Sequence, residues 1–182
     1  MRTLQEIYEN HKSPEGHGDK GTAHTYIDEY AVLLDKYRNG STLLEIGVSH
    51  GESMEMWSDY FEDSNLYGVD ITTMYFKSGL QDDTRFNIII GDATKESILE
   101  QLPEGLTFDI IIDDGSHDVK DQINTFNVFK KRMNPGGIFI IEDVVKLDTN
   151  REKFYLLHHN CEVIDNRRKK DRHDDVLIVY RF

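Results

Sequence analysis

Short apolar runs alternate with longer amphipathic stretches along the central part of the chain. The runs rich in β-branched and aliphatic side chains occupy residues 42–47, 65–71, 85–92, 108–114 and 136–143. The intervening segments with apolar residues at helical spacing are 51–62, 95–102 and 118–133. Runs of this length predict buried strands, and strands that alternate with helices form a parallel sheet covered on both faces. The pattern therefore predicts an α/β fold.

The two ends of the chain extend this pattern. The further predicted elements are an amphipathic helix over 24–37, a helix near 149–159, and strands at 161–165 and 176–182. The last two strands are joined by a charged turn and predict an antiparallel hairpin at the edge of the sheet. The tetrapeptide "NPGG" at 134–137 is expected to end the helix over 118–133 before the next strand begins.

Composition limits the classes of protein that this chain can represent. Its 182 residues are enough for a single domain with one sizeable core. The net charge of −13 repels a phosphate backbone, so nucleic-acid binding is disfavoured. The single cysteine, Cys161, cannot form an internal disulfide, and the sequence shows neither a signal peptide nor an apolar run of membrane-spanning length. We therefore expect a cytoplasmic protein without a membrane span.

Glycine and acidic residues follow the first three predicted strands. Gly47 and Gly51 flank a turn between a strand and a helix, where the backbone can approach a ligand closely. Asp70 ends the second strand about twenty residues further on, where an acidic side chain can accept hydrogen bonds from ribose hydroxyls, and Asp92 ends the third. The pattern predicts a site for a neutral or cationic nucleoside, because so many carboxylates oppose a phosphate-rich ligand. Alternatively, the glycines only satisfy the turn and the aspartates cap helices.

Polar side chains also cluster where the fourth and fifth strands end. The fourth strand runs into Asp113, Asp114 and His117, and the fifth runs into Glu142 and Asp143. Neighbouring parallel strands lie about 4.8 Å apart, so these carboxylates can converge on one divalent cation with oxygen ligands, as expected for Mg²⁺. Such a cation relieves the repulsion among crowded carboxylates. The alternative is that Asp114 and Asp143 cap the following helices and Glu142 faces solvent.

Four motifs, in this order along the chain, resemble those of class I S-adenosylmethionine-dependent methyltransferases. They are "EIGVSHG", "YGVDI", "GDA" and "FDIIIDDGSH", and the likeness extends over residues 42–182. The resemblance implies a Rossmann-like fold with a mostly parallel seven-stranded sheet, helices on both faces and a C-terminal antiparallel hairpin. It also implies a set of cofactor contacts: Glu45, Gly47, Ser49 and Gly51 around the methionine half, Asp70 at the ribose, Asp92 at the adenine and Asp113 near the methionine amine.

The segments "DDGSH" and "GGIFIIEDV" are similar to those of a narrower group, the metal-dependent sugar O-methyltransferases of the macrocin, mycinamicin and novobiocin type and their cephalosporin-biosynthesis relatives. This resemblance implies that Mg²⁺ is bound by Asp114, Glu142 and Asp143 and that His117 is the general base. An alcohol of high pKa loses its proton as it attacks the methyl group, so a bound cation and a nearby imidazole lower the barrier together. We therefore expect Mg²⁺-dependent methylation of a sugar hydroxyl, on a deoxysugar such as rhamnose in a glycan or glycoside.

Residues 1–40 are expected to precede the methyltransferase domain, residues 41–182, within a chain that is a single domain overall. The segment "GHGDKGTAHTYIDEYAVLL", residues 16–34, is similar to the N-terminal region of the same group. This likeness implies a lid over the cofactor and assembly into a homo-oligomer. The polar contacts of the lid would come from Asp19, Lys20, His24 and Tyr26. The alternative is a flexible tail followed by an amphipathic helix packed on the sheet.

Three features of the sequence can be interpreted in more than one way. The basic run "RRKKDRH" at 167–173 either faces a phosphate or acidic sugar of the acceptor or forms a solvated hairpin loop. The scattered tyrosines are expected to pack in the core, whereas Tyr75 and Phe76, after the strand that ends in Asp70, either pack in the same way or border the adenine of the cofactor. The same site residues also fit catechol-type methylation of vicinal phenols, although the pair Glu142 and Asp143 favours a sugar acceptor. A non-catalytic cofactor-binding module is the remaining alternative.

Overall fold

The computed structural model describes residues 2–11 and 18–182 of the chain. The first two residues of the predicted lid, Gly16 and His17, lie outside these ranges. Within them, five α-helices run over Leu4–His11 (α1), Tyr26–Leu34 (α2), Glu52–Tyr60 (α3), Val119–Phe129 (α4) and Leu147–Tyr155 (α5). Seven strands run over Thr42–Ile46 (β1), Asn65–Asp70 (β2), Phe86–Ile90 (β3), Phe108–Asp113 (β4), Met133–Ile141 (β5), Cys161–Asp165 (β6) and Val176–Arg181 (β7).

The strands form a seven-stranded sheet in the order β3-β2-β1-β4-β5-β7-β6. Strands β1 to β5 are parallel, whereas β7 is antiparallel to both β5 and β6. This arrangement confirms the predicted fold class, including the C-terminal antiparallel hairpin, and it places β4 beside β5 as expected. The chain first runs outward from β1 through β2 and β3, and then resumes on the other side of β1 with β4. Ligands bind at such a switch point, outside the carboxyl ends of the strands.

Helices cover both faces of the sheet because its central strands are apolar on both sides. In β1, Leu43 packs into the core formed with α1, α2 and α3, whereas its neighbour Leu44 packs into the core formed with α4 and α5. Trp57 of α3 and Phe126 of α4 are fully buried, one in each of these cores. No helix in residues 2–11 or 18–182 is long and apolar enough to cross a membrane.

Two local predictions were wrong. The segment 95–102 forms a short 3₁₀ helix, Glu96–Gln101, instead of an α-helix, and it ends at Leu102, which is extended as expected for the residue before Pro103. The tetrapeptide at 134–137 lies inside β5 and does not end a helix, since α4 ends earlier and a single 3₁₀ turn follows it. Gly136, with a φ of +82°, and an irregular register against β4 accommodate the turn-forming residues in the strand.

The N-terminal helices were predicted only in part. Helix α2 is followed by one 3₁₀ turn, Asp35–Tyr37, so the helix predicted over 24–37 is present in two pieces. Helix α1 was not predicted, because its 8 residues are fewer than the window over which helical spacing, here of Leu4, Ile7 and Tyr8, can be recognised. It packs against α2 and α3 and extends the cover on their face of the sheet.

The packing of α5 predicts different effects for two leucines near its ends. Leu147 is fully buried at its first position, whereas Leu156, directly after its last, is 80% exposed. We expect Leu147→Ala to lower the free energy of unfolding by about 2–5 kcal/mol, because it leaves a cavity in the core. The matched change Leu156→Ala should alter it by less than about 0.5 kcal/mol. Urea denaturation followed by circular dichroism measures both values, and equal losses would contradict the packing described.

Candidate active site

A cavity of about 520 Å³ lies at the carboxyl ends of β1 to β4, where the topology places a ligand. This volume is typical of a small-molecule site. The predicted site residues that line it are Gly47, Ser49, Asp70, Asp92, Asp113, Asp114, His117 and Asp143. The predicted site residues that are buried outside its lining are Glu45, Gly51 and Glu142. The sheet thus brings residues predicted from five separate strand ends to one cavity.

The turn after β1 is shaped by glycine and held by Asp70. Gly47 has a φ of +87°, and a Cβ atom there would lie 2.0 Å from the carbonyl oxygen of Asp114. Oδ2 of Asp70 accepts hydrogen bonds from the backbone N–H groups of Val48 at 2.9 Å and Ser49 at 3.0 Å. Only glycine therefore lets this turn approach the end of β4 so closely, and Asp70 fixes the loop that follows.

The ends of β2 and β3 form the part of the cavity predicted for adenine. Oδ1 of Asp92 accepts hydrogen bonds from the hydroxyl of Thr94 at 2.6 Å and from its N–H at 2.9 Å, and these bonds lower the pKa of the Asp92 carboxyl. Tyr75 lines the cavity and is 53% exposed, whereas Phe76 packs against the core. The cavity wall at this end therefore contains the ring of Tyr75 together with the carboxylates of Asp70 and Asp92.

Asp113 places a buried acceptor without a partner in the cavity wall. Its Oδ1 accepts a hydrogen bond from the N–H of Gly115 at 3.3 Å, whereas its Oδ2 has no hydrogen-bond partner among the described residues. Burial raises the pKa of this carboxyl to about 7. A buried acceptor of this kind favours a ligand that brings an N–H donor. The amine of S-adenosylmethionine fits this requirement.

The ammonium of Lys20 lies among three carboxylates where β1, β4 and β5 end. Its Nζ donates to Oδ2 of Asp114 at 2.6 Å and to Oε1 of Glu142 at 2.5 Å, and Oε1 of Glu45 is 3.7 Å away. Burial alone would lower the pKa of Lys20, but the three carboxylate charges outweigh it and hold the pKa well above its usual range. Two of the three predicted metal ligands therefore already hold a cation.

Glu45 and Glu142 are buried behind this ammonium. Oε1 of Glu142 also accepts a hydrogen bond from the hydroxyl of Tyr30 at 2.6 Å, and burial raises the pKa of the Glu142 carboxyl well above its usual range. Glu45 accepts a hydrogen bond from Oγ of Ser53 at 2.7 Å, and burial raises its pKa to about 7. The interpretation in which Glu142 faces solvent is wrong, since its residue is 2% exposed.

Asp114 and Asp143 do not cap the helices that follow them. Helix α4 is capped by Asp118, whose side chain accepts a hydrogen bond from the N–H of Lys120. The residue before α5 is Lys146. The capping interpretation is therefore wrong for Asp114 and Asp143, and their carboxylates lie in the cavity wall instead.

Asp143 is held by Tyr26 and lies next to His24. The hydroxyl of Tyr26 donates to Oδ1 of Asp143 at 2.7 Å, and Nδ1 of His24 is 3.3 Å from the same oxygen. Burial opposes protonation of His24, but Asp19 and Asp143 outweigh it and raise the pKa of the imidazole. Residues predicted as contacts of a lid thus bind the residues predicted as metal ligands.

His117 faces two carboxylates at the rim of the cavity. Its Nε2 is 3.8 Å from Oδ2 of Asp143 and 4.0 Å from Oδ1 of Asp114, and its side chain is 39% exposed. The φ angles of His117, Asp143 and Ser49 are +58°, +55° and +49°. Residues other than glycine that adopt such strained backbone are found most often at functional sites. An imidazole in this position can take a proton from a molecule in the cavity.

The acidic cluster fits a divalent cation. Ligand atoms of Asp114, His117 and Asp143 all lie within 4.8 Å of one another. Asp114 also shares the ammonium of Lys20 with Glu142, so oxygens from the ends of both β4 and β5 converge on one positive charge. Because Mg²⁺ prefers carboxylate oxygens, the donor set suits this ion. Sequence reasoning missed the pairing with Lys20, which no local motif indicates.

The predicted lid is docked on the carboxyl edge of the sheet. Nζ of Lys170, in the basic loop 167–173, donates to the backbone carbonyls of Gly21 at 2.9 Å, Thr22 at 2.7 Å and His24 at 2.8 Å. Other basic side chains of this loop form ion pairs, including Arg167 with Asp148 and Asp165, Lys169 with Glu29, and Arg172 with Asp174. These basic side chains are engaged within the chain, and the loop holds the N-terminal segment in place.

The seven-stranded sheet ends in an antiparallel hairpin, and at its switch point a glycine turn lies beside acidic residues that follow the strands. These features together define the class I methyltransferase fold. Residues 44–144 match the model of a family described as a methyltransferase domain. Since the match covers more than half of the 182 residues, the chain belongs to this methyltransferase family.

Curated relatives of this chain include sugar O-methyltransferases. The chain is 33% identical over 138 residues to 8-demethyl-8-alpha-L-rhamnosyl tetracenomycin-C 2'-O-methyltransferase of Streptomyces olivaceus, with 70% of this chain and 35% of that protein covered. It is 33% identical over 133 residues to mycinamicin VI 2''-O-methyltransferase of Micromonospora griseorubida, with 68% and 32% covered. The chain thus spans about one third of the length of these relatives.

Solved structures support the fold. MycE methyltransferase from the mycinamycin biosynthetic pathway, in complex with Mg, SAH and mycinamycin VI, matches 99% of this chain and 54% of its own chain. The TM-score is 0.75 at 23% sequence identity. The O-methyltransferase from Bacillus cereus in complex with SAH matches 99% of this chain and 90% of its own, with a TM-score of 0.66 at 16% identity. The described fold is therefore that of known methyltransferases.

Removal of the Lys170 ammonium should loosen the docked segment. A hydrogen bond to a charged group contributes roughly 1.5 kcal/mol or more, so we expect Lys170→Met to speed amide hydrogen exchange in residues 18–26 by at least about tenfold. Lys169→Met is the matched control, because Lys169 pairs with Glu29 in α2 and does not contact the 21–24 carbonyls. Exchange measured by mass spectrometry on both variants tests this role, and an unchanged rate in Lys170→Met would contradict it.

Proposed function

We propose that this chain is a Mg²⁺-dependent O-methyltransferase that moves the methyl group of S-adenosylmethionine to a sugar hydroxyl. The proposed acceptor is a deoxysugar such as rhamnose in a glycoside or glycan. The names of the curated relatives support this proposal, since these are methyltransferases of a rhamnosyl tetracenomycin-C and of mycinamicin VI. The proposal takes residues 41–182 as the methyltransferase domain and residues 1–40 as the segment that covers its site.

The observation that carries the proposal is the convergence of a cation-binding carboxylate cluster and an imidazole at the rim of one cavity. Asp114 and Asp143 approach Nε2 of His117 to 4.0 Å and 3.8 Å, and Asp114 shares a positive charge with Glu142. A site that only binds a nucleoside needs none of these groups. Activation of a hydroxyl needs both a stabilising positive charge and a proton acceptor.

The rest of the cavity is assigned to the cofactor. The proposed contacts are Gly47 and Ser49 with the methionine half, Asp113 with its amine, Asp70 with the ribose and Asp92 with the adenine. Glu45 does not line the cavity itself, but Ser53, which donates to its carboxylate, and Lys20, whose ammonium is 3.7 Å from it, both do. Gly51 contributes through its φ of +93°, which starts α3 beside the turn. The negative charge of this rim suits the sulfonium of the cofactor.

In the proposed reaction, the acceptor hydroxyl lies between His117 and the carboxylates. An O–CH₃ bond forms as the S–CH₃ bond breaks, and the hydroxyl proton passes to Nε2 of His117. The carboxylate of Asp143, 3.8 Å from Nε2, stabilises the imidazolium. Asp114, Glu142 and Asp143 would hold Mg²⁺, which when bound supplies positive charge that favours the ionised hydroxyl.

A transfer assay with radiolabelled S-adenosylmethionine tests the proposed activity. The acceptors are rhamnosides, other deoxysugar glycosides and catechols, each incubated with Mg²⁺ or with EDTA. We expect transfer to a sugar and at least about a tenfold loss in EDTA, because the alkoxide loses its stabilising charge. Equal turnover in EDTA would remove the metal from the proposal, and transfer to catechols alone would favour a phenol acceptor. Binding of SAH without transfer to any acceptor would favour a non-catalytic module.

Substitution of His117 tests the proposed base. We expect His117→Ala to lower kcat by about 10²- to 10⁴-fold, because the hydroxyl loses its proton acceptor, while SAH affinity stays unchanged. His173→Ala is the control, since that imidazole lies in the basic loop and is 80% exposed. Single-turnover kinetics and SAH titration separate chemistry from binding. Full activity of His117→Ala would exclude this residue as the base.

A further inference from the structure

Lys20 occupies the place that a metal ion would take between two of its proposed ligands. Its ammonium lies 2.6 Å from Oδ2 of Asp114 and 2.5 Å from Oε1 of Glu142. Mg²⁺ binds oxygen ligands at about 2.0–2.1 Å. An ammonium and a metal ion carry charge of the same sign, so both cannot lie between the same two oxygens. The structure therefore shows the cluster in a form that excludes the metal from this position.

One ammonium leaves the cluster short of positive charge. Three carboxylates, those of Glu45, Asp114 and Glu142, face Lys20, and Asp143 adds a negative charge near Glu142. In the same dielectric, a divalent ion at metal-ligand distance attracts each oxygen roughly two and a half times as strongly as a monovalent ion at hydrogen-bond distance. A divalent ion can therefore compete with Lys20 for these oxygens.

The ammonium of Lys20 can leave the cluster while its backbone stays in place. Lys20 lines the cavity together with Gly18 and Asp19. The backbone directly after it is confined, since a Cβ atom at Gly21 would lie 2.5 Å from the ring of Tyr8, and Lys170 binds the carbonyl of Gly21. The lysine side chain is a flexible four-carbon stem. Rotation about its own bonds would carry the ammonium from the carboxylates towards the cavity that Lys20 lines.

We propose that Lys20 is an exchangeable internal cation, which neutralises Asp114 and Glu142 in the absence of a divalent ion and yields both carboxylates to Mg²⁺ by turning into the cavity. This inference rests on the proposed function and deepens it. According to this inference, Lys20 sets the affinity for the metal. After the exchange, its ammonium lies in the cavity that receives the acceptor. Metal loading and the charge of the cavity are then coupled through one side chain.

Metal affinity measured without any turnover tests the exchange. Isothermal titration with MgCl₂ is carried out on the wild-type chain and on Lys20→Met, Lys20→Arg and Lys169→Met at one pH and ionic strength. We expect Lys20→Met to bind Mg²⁺ at least about tenfold more tightly than wild type, since the competing charge is gone. Lys20→Arg, which keeps the charge, and Lys169→Met, which removes a surface charge, should not bind more tightly. Equal or weaker binding by Lys20→Met would overturn the exchange.

Chemical labelling of the wild-type chain gives a second test that does not depend on the folding of a variant. Brief reductive methylation is followed by mass spectrometry of the peptide that contains Lys20, in MgCl₂ and in EDTA, with Lys169 as the exposed internal standard. We expect labelling of Lys20 to rise several-fold in MgCl₂ while labelling of Lys169 stays constant. Protection of Lys20 at saturating Mg²⁺ would overturn the exchange.

The two proposals fail separately. Mg²⁺-dependent sugar methylation by a chain whose Lys20 stays protected would refute the exchange and leave the proposed function intact. Exchange without methyl transfer to any acceptor would refute the function and leave the exchange intact. Absence of Mg²⁺ binding by every variant would refute the exchange together with the metal dependence of the reaction.

Discussion

The buried cluster of Lys20, Asp114 and Glu142 is the interaction on which the carboxyl edge of this sheet depends. A charge removed from water is unfavourable unless it is paired and hydrogen-bonded, and loss of one partner leaves the other uncompensated. Oε1 of Glu142 accepts hydrogen bonds from both Lys20 and Tyr30, two residues of the N-terminal segment. Docking of that segment and ionisation of the acidic cluster therefore support each other, and the lid predicted from the sequence is an integral part of the site in this conformation.

The topology explains why so many charged groups meet at one place. The strands β1, β4 and β5 are parallel neighbours, so their carboxyl ends share an edge, and Glu45, Asp114 and Glu142 lie at or next to these ends. The missing side chain of Gly47 lets the turn after β1 touch the carbonyl of Asp114. This contact joins the part of the cavity proposed for the cofactor to the part proposed for the acceptor.

Local sequence was sufficient to predict the strands and the acidic positions, because a buried parallel strand is an apolar run whose end is marked by the first polar residues. It was not sufficient to predict that Lys20 binds Glu142, which is 122 residues away, since several acids and bases in the chain were equally eligible. The tetrapeptide at 134–137 has the chemistry of a helix stop, yet pairing of β5 with β4 and β7 overrides it. The roles of the individual site residues stay predictions.

The shared carboxylates also link docking of the N-terminal segment to cation binding. If Lys20 and a divalent ion compete for the same oxygens, each contact that holds the ammonium in place lowers the affinity for the ion. Binding of the ion in turn weakens the contacts of the ammonium by the same factor. The hydroxyls of Tyr30 and Tyr26 bind Glu142 at 2.6 Å and Asp143 at 2.7 Å independently of Lys20. The segment therefore retains contacts with both acids after an exchange. A segment bound to the sheet through Lys20 alone would have to detach before the metal could bind. In this chain the ammonium of Lys20 can leave the carboxylates while Tyr26 and Tyr30 keep the segment docked.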